Sequence, residues 1–365
     1  MEIPFINLKL EYLELKDEID KAIFDVIDSG QFILGPVLGQ FEKNIGNYLG
    51  QNALGVASGT DALLMALMAL DIGKGDEVIT TPFTFFATAG CIARVGAKPV
   101  FVDIEMSTFN IDPAIIESKI NQKTKAIILV HLFGKPQDMK PILEIAQKYN
   151  LHIIEDACQA IGAEYNGKKV GTIGVIGCFS FFPTKNLGGY GDGGLITTKD
   201  AALFDLLQKL RVHGAIGKYI HKFIGINSRL DAIQAAILDV KLKHIDKKNN
   251  RRREIAHRYN EEFKEFVQVP NDIEFGTHVY HNYAILTDKR EELQKFLASN
   301  HISTGIYYPL PLHLQECFAD LGYKKGDCPN SEKISNQIIS LPIYPEMVED
   351  QIIFVIEKVK KFYRG

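Results

Sequence analysis

The stretch SFFPTKNLGGYGDGGLIT, residues 180–197, places a lysine after an aromatic run and before a cluster of glycines. Lysine near neutral pH is a poor nucleophile unless its pKa falls or it is held as a Schiff base. Glycines beside Lys185 let backbone approach a bulky group and reach dihedrals closed to other residues. Taken alone, the stretch suits either a surface turn with a solvated lysine or a lysine that meets a cofactor. The flanking text sets its frame. GCFSFF and GGLITT are short apolar runs, and DEVITT, KPVFVDI, KAIILVHLF and LHIIEDA precede them. Helical patterns such as TDALLMALMAL and KPILEIAQKYN stand between. Short, continuously apolar strands joined by crossovers predict an α/β fold with a mostly parallel sheet covered on both faces.

Further out, residues 10–30 read as an opening helix, and RLDAIQAAILDVKLKHIDKKNNRRREIAHRYNEEF as a long helical stretch leading to a smaller domain. The expected division is a large domain over 1–245 and a small C-terminal domain over 246–365. In the latter, HVYHNYAIL reads as a strand, KREELQKFLASN as a helix and YYPLPLH (307–313) as a loop or edge element. The basic run KHIDKKNNRRRE (243–254) reads as a solvated helix face.

The whole chain of 365 residues carries 41 Lys plus Arg against 45 Asp plus Glu, a formal net charge of −4. That balance gives no argument for nucleic acid or an anionic membrane as partner. The opening MEIPFINLK lacks the basic and apolar regions of a signal peptide, and no apolar run is long enough to span a membrane. Five scattered cysteines form no CxxC pair, which suggests reduced thiols and a cytoplasmic setting. No His/Cys/carboxylate cluster has metal-ligand spacing, so no metal is expected.

Several segments carry candidate chemistry. In VASGTDALLMALMAL, Ser58, Gly59 and Thr60 sit where a strand gives way to a helix. Free N–H groups there suit a phosphate, though SGTDA is equally a simple N-cap. Neither GxxxxGK nor GxGxxG is present, which disfavours a P-loop or a dinucleotide dehydrogenase. LHIIEDACQAIGA ends in Glu155, Asp156 and Gln159, at the strand end where open α/β sheets hold ligands. Asp156 suits a protonated pyridine nitrogen; a helix cap is the plainer alternative. In TPFTFFATAG, Phe85 suits stacking on a flat ring, or belongs to the core. A phosphate cup, a stacking ring, an acid for a ring nitrogen and a lysine for an aldehyde together describe pyridoxal 5'-phosphate (PLP).

Five segments in order, SGTDAL (58–63), PFTFFAT (82–88), EDACQAIGA (155–163), SFFPTKNLGGYGDGG (180–194) and GINSRLDAIQAAIL (225–238), resemble the DegT-like, PLP-dependent nucleotide-sugar aminotransferases of fold type I. The resemblance runs over nearly the whole chain. It implies an aspartate-aminotransferase-like architecture, with a seven-stranded sheet sandwiched by helices and a smaller C-terminal α+β domain. By motif, Lys185 looks like the lysine that holds the cofactor aldehyde, and Asp156 like the partner of the ring nitrogen. Gln159 would approach the phenolic oxygen and Phe85 would stack on the ring. Gly59, Thr60 and Ser180 would hold the phosphate. Asn227 would reach that phosphate from the neighbouring subunit, implying a homodimer with composite active sites; as a plain alternative it caps the next helix. Relatives often read GYNSR or GYNYR here, so Ile226 departs while Asn227 and Arg229 remain.

Relatives that dehydrate deoxysugars carry histidine at the lysine position, so Lys185 favours amino transfer. The implied reaction moves an amino group from L-glutamate, leaving 2-oxoglutarate, to a nucleotide-linked ketosugar. A dTDP-3-keto-6-deoxyhexose fits best, with a C4 aminotransferase of dTDP- or UDP-4-keto sugars as the alternative. Substrate contacts are expected from Lys218, Tyr219 and His221 in the loop before GINSR, and from Tyr307, Tyr308 and His313 in GIYYPLPLH. A cofactor-sensing regulator would need loss of Lys185 or Asp156, or an added DNA-binding segment. An enzyme of amino-acid metabolism would need an arginine clamp, which the sequence does not reveal.

Overall fold

The computed structural model describes residues 1–271 and 273–365. Its central sheet has seven strands: β1 (Asn52–Val56), β2 (Glu77–Thr80), β3 (Lys98–Phe101), β4 (Thr124–Val130), β5 (His152–Asp156), β6 (Ile176–Ser180) and β7 (Gly194–Thr198). They lie in the order β1-β7-β6-β5-β4-β2-β3. Strand β7 runs antiparallel to both neighbours, and the other pairings are parallel. Both faces are covered, which is why the strands read as unbroken apolar runs. Ile127 and Leu129 of β4 enter one core with Phe41, Ile153 and Leu238. Ile128 enters the opposite core with Leu63, Met65 and Ile154. Each such side chain removed from water stabilises the fold by roughly 1.5–3 kcal/mol.

A third core gathers Ile255, Tyr259, Phe263, Tyr283, Ile339 and Val355, and Ile3 joins it from the opposite end of the chain. Around it stand an antiparallel pair, Tyr283–Leu286 with Ile338–Leu341, and the helices Arg290–Ser299 and Glu349–Arg364. Ile3 forms a parallel bridge to Ile302.

Three expectations need correction. The opening helix is broken at Leu15 into Leu8–Glu14 and Lys16–Ser29. The long helical stretch is likewise two helices, Ala232–Leu242 and Ile245–Phe263. The first buries Ala235 and Leu238 in the large core and the second buries Tyr259 and Phe263 in the small one, so a straight rod could not serve both. Nor is the basic run solely a solvated face: Lys248, Asn249 and Arg252 are buried. Lys248 is held by Glu14 and Glu346, and Arg252 Nη1 donates to the Ile343 carbonyl at 2.6 Å. Among the described residues, no helix is long and apolar enough to cross a membrane.

Candidate active site

A cavity of about 750 Å³ opens at the carboxyl ends of β5 and β6, where the small domain closes over the sheet. Gly59, Thr60, Phe85, Asp156, Gln159, Ser180, Lys185, Tyr307 and Tyr308 all line it. Asp156 and Ser180 are the last residues of β5 and β6. After β6 the chain turns back, with the Lys185 N–H donating to the Phe182 carbonyl at 2.8 Å. That turn brings Lys185 beside Asp156.

The helix Gly59–Ala69 starts at the cavity wall, and the Ser58 hydroxyl accepts the Asp61 N–H at 3.0 Å. The first-turn N–H groups of Gly59 and Thr60 have no acceptor within the helix, and the dipole adds positive potential there. Space at this junction is tight. A Cβ on Gly59 would lie 2.8 Å from both Cys158 Sγ and Ser180 Cβ, and one on Gly194 only 2.4 Å from the Ser58 carbonyl. Only glycine lets β7 and the helix start meet so closely.

Asp156 is buried, and its two oxygens are separately held. Thr88 Oγ1 donates to Oδ2 at 2.8 Å, and the Cys158 N–H donates to Oδ1 at 3.2 Å. Gln159 is fixed too: Oε1 accepts the Phe133 N–H at 2.7 Å, and Nε2 donates to the Tyr308 hydroxyl at 3.0 Å. Burial lowers the Lys185 pKa from its ordinary 10.5, with the nearby Asp156 carboxylate opposing the shift. The free amine is therefore more accessible than on a surface lysine. Burial also drives the Cys158 thiol well above its usual range.

Beneath the site, Glu155 accepts N–H groups from Gly171, Ile173 and Gly174 and lies 3.0 Å from His131 Nε2. His131 Nδ1 accepts the Gln137 N–H, so its proton resides on Nε2 and points at Glu155. These bonds anchor the end of β5 that carries Asp156.

The remaining sequence candidates lie outside this cavity. Asn227 is exposed on a loop bridged to Val212. Lys218, Tyr219 and His221 belong to a hairpin, Ala215–Gly217 with Ile220–His221, whose Tyr219 is 86% exposed. His313 is buried, with Nε2 3.1 Å from Glu332, so its ring serves packing rather than the cavity wall. Conversely, the sequence reading passed over Thr88, His281 and Asn282. Thr88, in the first turn of the helix Ala87–Arg94, stands four residues after Thr84, and the two hydroxyls are 3.0 Å apart. His281 and Asn282 stand inside HVYHNYAIL, where polar residues in an apolar strand were the available signal.

The profile of the DegT/DnrJ/EryC1/StrS aminotransferase family matches residues 13–360. A protein of Geobacillus stearothermophilus described as a pleiotropic regulatory protein is 50% identical, with 100% of this chain and 99% of that protein covered. The dTDP-3-amino-3,6-dideoxy-alpha-D-galactopyranose transaminase of Aneurinibacillus thermoaerophilus is 44% identical, with 99% of each covered. Among solved structures, S. venezuelae DesV in complex with a ketimine intermediate superposes with a TM-score of 0.97 at 39% identity, covering 100% of this chain and 99% of that one.

Proposed function

Because the chain belongs to the DegT/DnrJ/EryC1/StrS aminotransferase family, we propose that this PLP-dependent sugar aminotransferase moves an amino group from L-glutamate to a dTDP-linked 3-keto-6-deoxyhexose. The observation that carries the reading is the meeting of Lys185, Asp156 and the Gly59–Thr60 helix start in one cavity. The cavity fits the cofactor: unpaired N–H groups at a positive helix end and Ser180 for its phosphate, Phe85 for a ring face, and a buried carboxylate for the ring nitrogen. When bound, PLP supplies an aldehyde for amines and a ring that accepts electrons from the adjacent carbon. Asp156, held by Thr88 and the Cys158 N–H, would pair with the ring nitrogen and favour its protonated form. Gln159, locked between Phe133 and Tyr308, would meet the cofactor's ring with its amide. The Lys185 amine takes the proton from Cα of the donor and later delivers one to the sugar carbon.

Asn227 completes the site from a second subunit in this reading. Its exposure agrees with that role, as do the neighbouring exposed apolar residues Ile216, Ile220 and Ile224. Regulation without catalysis is disfavoured, because Lys185 and Asp156 are both present and share the cavity. The deciding experiment follows the cofactor's visible absorbance in purified protein. L-Glutamate should bleach it, and dTDP- or UDP-linked 3-keto and 4-keto hexoses should be tried for its return. Recovery with a 3-keto dTDP-sugar, with the amine position read by NMR, supports the assignment. Recovery only with a 4-keto sugar moves the reaction to C4, and absence of the band in protein given PLP ends the proposal.

A further inference from the structure

Two small-domain residues at the cavity have polar side chains with no use inside the protein. Asn282 is 6% exposed and lines the cavity, and among the described residues its side chain has no hydrogen-bond partner. His281, adjacent in the chain, also lines the cavity; its backbone N–H donates to the Phe133 carbonyl at 2.8 Å. Its ring makes no hydrogen bond among the described residues, and Nδ1 is buried without a partner. An unpaired buried polar atom costs about 1–3 kcal/mol, which His281 Nδ1 incurs, and the Asn282 amide beside it opens to the cavity with no partner from the protein; two such side chains in a row point to a ligand that uses them.

Chemistry narrows the ligand. Burial, with the charges of Lys185 and Arg252, holds the His281 imidazole well below its ordinary pKa. With Nδ1 buried, the neutral ring presents Nε2, which donates or accepts according to the tautomer, and the Asn282 amide offers both a donor and an acceptor. That pairing matches hydroxyl groups, which also donate and accept. A carboxylate only accepts, and would leave the Asn282 amide oxygen unpaired. Tyr307 and Tyr308 line the same cavity and add aromatic surface on which a sugar ring can lie.

We propose that His281 and Asn282 bind the hydroxyls of the hexose ring and set which hexose reaches Lys185. This inference rests on the nucleotide-sugar reading above and adds the residues that recognise the sugar. Calorimetry on the cofactor-loaded enzyme tests it with dTDP and with dTDP-glucose, which has no ketone and cannot react. UDP and UDP-glucose are run in parallel. Wild-type protein should bind one nucleotide-hexose at least about ten-fold more tightly than its nucleotide alone, a gain of about 1.4 kcal/mol. Asn282→Leu and His281→Phe, each checked for a normal thermal transition, should erase most of that increment and leave nucleotide affinity within about two-fold. A wild-type increment that survives in both variants overturns the proposal, as does equal loss of nucleotide and nucleotide-hexose binding. A wild-type protein that gains nothing from the hexose overturns it as well. Wild-type protein that binds no nucleotide at all refutes the underlying nucleotide-sugar reading, and that result is visible before any variant is made.

Discussion

Lys185 shows how a functional residue burdens its own fold. Burial lowers its pKa, so between that lowered value and 10.5 the unfolded chain holds a proton that the folded one does not. The unfolded state binds more protons in that window, and stability must rise with pH through it. Below the window the burden is fully present. Lys185→Met should therefore raise the stability of cofactor-free protein at neutral pH by about 1 kcal/mol, while abolishing the visible cofactor band. Urea unfolding of both proteins checks this, and the difference should shrink as pH approaches 10.5. Thr88 makes a complementary case. Thr88→Val deletes the donor to Asp156 Oδ2, and a cost of about 1–3 kcal/mol is expected. Both half-reactions should slow by about ten-fold, and Thr88→Ser should restore them; an unchanged rate would detach Asp156 from its proposed role.

At the scale of elements, the site depends on a strand-to-helix junction that tolerates no side chain. Gly59→Ala would drive a methyl group against Cys158 and Ser180, shifting the first turn of the helix. We expect PLP affinity, followed by equilibrium dialysis, to fall by at least about ten-fold, with a thermal transition lowered by only a few degrees. The same junction shows what sequence can reveal. Strand, glycine and helix former adjoin in NALGVASGTDALLMAL, so the turn and its free N–H groups were readable from local chemistry. The apolar runs likewise gave away a sheet buried on both faces. Where reading stopped, the missing information was long-range. Nothing near His281 and Asn282 says that the Phe133 carbonyl, 148 residues upstream of His281, accepts its N–H and holds this segment at the cavity. His313 shows the converse: its partner Glu332 belongs to a separate helix, Pro329–Gln337, which nothing near His313 announces. The breaks at Leu15 and near His244 were also hidden, because they follow from which core each helix face must meet.

The whole molecule leaves apolar surface uncovered. Ile224 is 92% exposed, and Phe24, Ile27, Phe32 and Ile33 are also exposed large hydrophobics. Such surface on a monomer favours association. On the proposed dimer, Ile224→Glu should shift sedimentation toward the monomer, and cofactor retention should fall with it because Asn227 no longer reaches a second site. A monomer that keeps full activity would refute the composite site.

The bridge from Ile3 to Ile302 has a consequence for the order of events during synthesis. Ile3 leaves the ribosome well before its neighbours Ile302, Ile339 and Val355. The large sheet, complete by Thr198, can form well before then. The nascent chain therefore carries Ile3 without these partners while the whole large sheet is made, and the small core closes only when that earlier segment is recaptured.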